Sequence, residues 1–100
     1  MAAPVILADA WEDLLAMRER LAPLVGQDRA LSHVEAILDD VERLGDYPEW
    51  GPLHQDSVLQ AKGFRKLLSV GNVAVYRVDG GVPTVYRVFS KRQDYFKLVD

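Results

Sequence analysis

The sequence predicts one α+β domain, an N-terminal helical hairpin packed on a three- to four-stranded antiparallel sheet. Three observations predict it. Apolar residues keep a helical period through the first half and change to strand-like runs after about residue 60. A cluster of Gly and Pro separates the two regimes. The length, 100 residues, fits a single domain over the whole chain.

The elements follow in order. Pro4-Val5-Ile6-Leu7 is a short apolar run, read as a first strand or an extended lead-in. Asp9, with Glu12 three residues on, has the form of a capping box. Trp11, Leu14, Leu15, Leu21 and Ala22 then recur at near-helical spacing, and Trp11 is expected in the core. Pro23 and Gly26 end or break this helix. Asp28 is a candidate cap for a second helix. There Ala30, Val34, Ile37, Leu38, Val41 and Leu44 make the most regular stripe in the chain, with Gly45 as its stop. Residues 45–56 read as a loop on the strength of Gly45, Pro48, Gly51 and Pro52. Three runs rich in Val, Tyr, Phe and Leu follow: 64–70, 73–78 and 82–89. Gly71-Asn72 and Asp79-Gly80-Gly81 punctuate them as hairpin turns, so an antiparallel meander is expected. Residues 93–99 read as a turn of helix or a tail.

Composition narrows the function. The absence of cysteine excludes disulfides, thiolate metal sites and cysteine nucleophiles, and fits a cytoplasmic protein. The N-terminus has neither a basic region nor a long apolar run, so no cleaved signal peptide is expected, and no stretch has the length to span a bilayer. The net charge of −3 is divided: residues 1–50 carry four Arg against eleven acids, whereas residues 51–100 carry eight Lys or Arg against four acids. A basic second half attracts nucleic acid or an acidic protein segment, or it pairs with the acidic helices inside one fold. His33 and His54 stand far apart without thiols, so no metal and no cofactor is expected. Neither a phosphate-binding glycine loop nor a Gly-x-Ser-x-Gly elbow occurs.

The text of the meander carries a resemblance. Gly63-Phe64-Arg65-Lys66-Leu67 leads to Val70-Gly71-Asn72 and Val75-Tyr76-Arg77-Val78. Val85-Tyr86-Arg87-Val88 then leads to Ser90-Lys91-Arg92-Gln93-Asp94-Tyr95. This ordered set resembles the RelE/ParE superfamily of toxins from type II toxin–antitoxin systems, over residues 63–96. The resemblance implies a compact toxin neutralised by a cognate antitoxin. It offers two activities: binding and inhibition of DNA gyrase in ParE-type members, or ribosome-dependent cleavage of messenger RNA in RelE-type members. A non-toxic member acting as an interaction module is a third alternative, and a homodimer is left open.

The residues weigh these alternatives. Cleavage requires a group that activates the 2′-hydroxyl and cations that stabilise the phosphorane. The candidates for a nuclease are Arg65, Lys91, Arg92 and Tyr95. Against them, Val73 and Ala74 stand where several nuclease members carry a catalytic Arg, and Ser90 stands where others show His. The expectation is therefore binding without chemistry. The partner-binding set is Arg65, Lys66, Arg77, Arg87, Lys91 and Arg92. Adjacent Arg65 and Lys66 must point to opposite faces of their strand, and two hairpin registers leave open whether Arg77 and Arg87 share one. Tyr76 and Tyr86 are expected as core or rim. Trp50 is expected as a packing plug or an exposed contact, His33 as a helix-surface residue, and His54 as a stray catalytic candidate.

Overall fold

The structure is a computed structural model that describes residues 3–90. Lys91, Arg92, Tyr95 and the 93–99 segment lie outside the described residues. The elements run β1 (Val5–Ile6), α1 (Ala8–Val25), α2 (Gln27–Arg43), α3 (Ser57–Ala61), β2 (Phe64–Ser69), β3 (Asn72–Asp79) and β4 (Val82–Ser90). The strand order in the sheet is β1-β4-β3-β2. The meander β2-β3-β4 is antiparallel, as its two hairpin signals require. The edge strand β1 instead pairs parallel to β4, which makes the sheet mixed. Local turn chemistry fixes the direction of successive strands only. β1 is separated from its neighbour by the whole helical hairpin, so nothing nearby in sequence states its direction.

The helices form where the period predicts them, with different ends. The cap position of α1 is Leu7, which makes no side-chain cap, and Asp9 lies within the first turn, where it complements the helix dipole. The capping box is therefore not formed. Pro23 does not end α1: it sits in the last turns, and the helix runs on to Val25. Gly26, at φ 92°, closes α1 and opens α2, which leaves Asp28 in the first turn of α2 and not at its cap. The buried stripe of α1 is Ala10, Leu14 and Met17. Trp11, next to Ala10, turns off that stripe and is 44% exposed, so it is not a core residue. Leu15 is exposed for the same reason. On α2 the stripe is Ala30, Val34, Ile37 and Val41. One side of the sheet meets the helices through Leu67, Ala74, Tyr76, Val85 and Val88. On the other side Val73, Val75, Phe64 and Phe89 gather around Leu59 of α3.

A bulge in β4 resolves the register. Val75 pairs with Arg87 and Tyr76 pairs with Val85, so Tyr86 is the extra residue between them. The strict alternation of β4 breaks there. Val85 and Val88 both reach the helix side, while Tyr86 and Arg87 stay on the outer side. No helix among the described residues is long and apolar enough to cross a membrane.

Candidate functional site

The segment between α2 and α3 is laid across one end of the sheet, and three contacts hold it there. The Tyr76 hydroxyl accepts the Gly51 N–H and donates to the Pro48 carbonyl, both at 2.8 Å. Arg65 donates to the Gly51 carbonyl at 2.8 Å and to that of Glu49 at 3.4 Å. The backbone then runs beside β2, with His54 N–H to the Phe64 carbonyl at 2.9 Å and Lys66 N–H to the Pro52 carbonyl at 3.1 Å. Only glycine fits at position 51: a Cβ there would lie 2.6 Å from the Lys66 carbonyl oxygen and 2.8 Å from the Tyr76 ring. Asp56 then caps α3 by accepting from the N–H groups of Val58 and Leu59, both at 3.0 Å. The sequence patterns name no element between the 45–56 loop and the run at 64, and α3 fills that interval.

Between this segment and the end of the sheet formed by the start of β2 and the β3–β4 turn lies an open groove of about 1130 Å³. Its floor and walls are carbon: Tyr47, Pro48, Trp50, Leu53 and Val78. Tyr47 is 66% exposed, Trp50 47% and Leu53 44%. Trp50 is thus exposed and not a packing plug. The cations lining the groove are Arg43, Lys62, Arg65 and Arg77, against the carboxylates of Asp46 and Glu49. Arg43 and Lys62 are exposed. The sequence reading singled out Trp50 alone among the exposed groove residues. Arg43 and Lys62 belong to different elements, and only the fold brings them together.

The predicted basic residues divide by face. Arg65 pairs with Tyr76 and Lys66 with Val75, so the two do lie on opposite faces of β2. Lys66 donates to the Gln55 side chain at 2.6 Å. Arg77 and Arg87 share the outer face but not a site. Arg77 lies over the rings of Phe64 and Tyr86, 4.9 and 5.2 Å from their centroids, and binds Asp79. Tyr86 accepts from Arg77 at 2.8 Å and donates to Asp79 at 2.7 Å. The Tyr86 hydroxyl and the Arg77 guanidinium together hold the Asp79 carboxyl below its ordinary range, and burial with the Asp79 charge pushes the Tyr86 phenol up. Arg87 reaches back to α1 and grips Asp13 with two hydrogen bonds, at 2.8 and 2.9 Å. Its guanidinium rests 4.7 Å from the Phe89 centroid.

The tyrosines and histidines sort as follows. Tyr76 is core and Tyr86 is rim. His33 is half-buried and its Nε2 meets the Asn72 amide at 2.8 Å, which ties α2 to the β2–β3 turn. His54 is fully buried, and its Nδ1 accepts the Asp56 N–H at 3.0 Å. A substrate has no access to it, so it is not a catalytic candidate. Among the described residues no cluster of His, Asp and Glu could hold a metal ion. Val73 and Ala74, at the start of β3, are buried and apolar.

A helical hairpin lies on one side of a small open sheet, Arg77 and Arg87 are each paired with a carboxylate, and an apolar groove lies at one end. The sequence profile of the ParE toxin of the type II toxin–antitoxin system, parDE, matches residues 5–95, and the chain belongs to this family. Among solved structures it is similar to a chain of the chromosomal ParDE toxin–antitoxin system from P. aeruginosa. That likeness has 25% identity and a TM-score of 0.76, and covers 90% of this chain and 96% of the other. No curated protein sequence matches.

Proposed function

We propose that the chain is the toxin of a type II toxin–antitoxin pair, that it acts by binding DNA gyrase, and that a cognate antitoxin neutralises it. The observation that carries this reading is membership of the ParE toxin family across residues 5–95. The chemistry of the described residues supports binding over cleavage. The nuclease reading needs cations gathered on one surface beside a group that activates a hydroxyl. Arg65, one of its candidates, turns toward the loop, where its Nη1 donates to two backbone carbonyls. Arg77 and Arg87 are each held by a carboxylate.

The test is a supercoiling assay with purified gyrase, run with and without a purified candidate antitoxin. Inhibition that the antitoxin reverses is the expected result. Cleavage of ribosome-bound messenger RNA, with gyrase unaffected, would replace this reading by the RelE-like one.

A further inference from the structure

Much of the polar chemistry outside the groove ties one element to another, as Ser69 does with Asp40 and Asn72 with His33. The groove carries exposed charges of both signs, and the outer side of α1 presents Trp11 and Leu15 with nothing to identify what would cover them. The β3–β4 turn is different. Its sequence is reactive by itself, and its structure restrains the reactive group.

The turn reads Asp79-Gly80-Gly81. Asp79 pairs with Val82, so Gly80 and Gly81 are the two central residues, at φ 58° and 83°. An aspartate followed by glycine is open to attack on its own side chain. The glycine nitrogen can close a five-membered ring on the carboxyl carbon, and glycine brings no side chain to obstruct the approach. Here Gly80 is exposed, and a Cβ on it would meet nothing within 4 Å. Packing around the turn therefore does not block the reaction.

The carboxyl itself is restrained, on both oxygens. Arg77 Nε donates to one, and the Tyr86 hydroxyl donates to the other at 2.7 Å. Tyr86 is the bulged residue of β4, and its hydroxyl also accepts from Arg77 at 2.8 Å. Arg77 in turn lies over the rings of Phe64 and Tyr86. Two effects follow. The carboxyl cannot swing toward the Gly80 nitrogen without breaking both bonds. It is also kept ionised, since the same donors hold its pKa below the ordinary range. An ionised carboxylate is a poor electrophile, because ring closure must expel one of its oxygens as water.

We propose that Asp79–Gly80 is a site of spontaneous conversion to isoaspartate, and that Tyr86 and Arg77 form a clamp that slows it. The Gly80 nitrogen bonds to Asp79 Cγ and loses its proton, and the hydroxyl of the protonated carboxyl leaves with that proton as water. The resulting succinimide then takes up one water. Opening at the backbone carbonyl leaves a chain linked through Cγ, which is isoaspartate, and opening at the side-chain carbonyl restores aspartate. Nothing is oxidised or reduced, and no other reactant is needed. Isoaspartate lengthens the backbone of the turn by one carbon and moves the carboxylate out of the clamp. Arg77, Val78 and Gly81 line the groove, so the conversion reshapes that end of it.

The experiment incubates the full chain at neutral pH. Succinimide is read by mass as the loss of one water, and isoaspartate at position 79 by peptide mapping with isoaspartyl methyltransferase labelling. Tyr86→Phe keeps the ring and removes the hydroxyl, and it should convert about ten-fold faster than wild type. Arg77→Gln removes the other donor and should act in the same direction. Wild type unfolded in urea should convert faster than folded wild type, and Asp79→Glu, whose longer side chain cannot close the five-membered ring, should show none. Asp13→Ala controls for stability: it weakens the fold away from the turn and should convert at the wild-type rate while folded. The clamp is overturned if Tyr86→Phe and Arg77→Gln both convert at the wild-type rate, or if Asp13→Ala is accelerated as much as they are. An unfolded chain that forms no isoaspartate at position 79 would overturn the site itself.

Discussion

Tyr76 is the residue on which the groove depends. Its ring is fully buried among the core residues between sheet and helices, and its hydroxyl serves two backbone groups of the loop that walls the groove. Tyr76→Phe keeps the ring but strands the Gly51 N–H and the Pro48 carbonyl. The expected cost is about 1–3 kcal/mol, read by denaturant unfolding, together with faster hydrogen exchange at Gly51. A variant as stable as wild type would mean that the hydroxyl does not hold the loop. His54 gives the same loop a pH dependence. Burial, and after it the charge of Lys66, lowers its pKa from the ordinary 6.5, with Asp56 acting in the opposite direction. The unfolded chain therefore binds a proton that the folded chain refuses. The stability this contributes is fully present above pH 6.5 and is lost as pH falls below it, toward the depressed folded value. Protonation at Nδ1 would also set a donor against the Asp56 N–H. Melting temperatures between pH 7 and pH 5 should fall more steeply for wild type than for His54→Asn. Equal slopes would remove His54 from the account.

At the scale of elements, the sequence was most legible where one pattern had one cause. The stripe on α2 is regular because a single face of that helix is buried, and it predicts Val34, Ile37 and Val41 correctly. α1 was harder to read. Its apolar residues exceed what its buried face can take, so spacing alone cannot separate Leu14, which is buried, from Trp11 and Leu15, which are not. The bulge at Tyr86 was hidden for another reason: alternation is a rule about strands without insertions, and no residue type announces the exception. The β2–β3 turn shows a further limit. Its signal was placed at Gly71-Asn72, but Ser69 pairs with Asn72, which leaves Val70 and Gly71 as the two turn residues. Both have positive φ, 49° and 76°, as a tight hairpin of this kind requires. Valine is poorly suited to that region, whereas asparagine enters it readily. Val70→Asn should therefore raise stability by about 1 kcal/mol, measured by urea unfolding. A loss of stability would show that the Val70 side chain contributes more through contact than its backbone costs.

For the molecule as a whole, the division of charge along the chain has two outcomes. Part of it is consumed inside the fold, where acidic α1 meets the basic sheet through Asp13 and Arg87. The rest survives at the groove, where Arg43 comes from the acidic half and Lys62 from the basic half. Counting charge by halves therefore locates the attraction between layers and does not locate the groove. Its turn-rich surroundings left Trp50 open as a packing plug or an exposed contact, and the structure shows it 47% exposed. Its charged neighbours were not legible, since they reach it only through tertiary structure. The Asp13 contact carries a prediction of its own. Its carboxylate takes two donors from Arg87 and a third from the Val88 N–H at 2.9 Å, with only 16% of the side chain exposed. Asp13→Ala removes all three bonds and leaves a half-buried guanidinium, at an expected cost of about 2–3 kcal/mol. Chemical denaturation checks it, and an unchanged midpoint would show the pairing to be ornamental.

The place of that third bond has a consequence for how copies of the chain behave toward one another. Among the described residues β1 pairs with β4 at Thr84 and Val85, and past that point a strand edge offers peptide groups that can pair with another strand. A strand in that condition is a template, and at high concentration a template recruits. Asp13 closes it from within, occupying the Val88 N–H with an acceptor that no incoming strand can displace without also separating a carboxylate from its arginine. Asp13→Ala is therefore expected to open this edge to self-association. Beside the loss of stability, this should show as turbidity and thioflavin fluorescence that rise with time and concentration in Asp13→Ala and stay flat in the wild type.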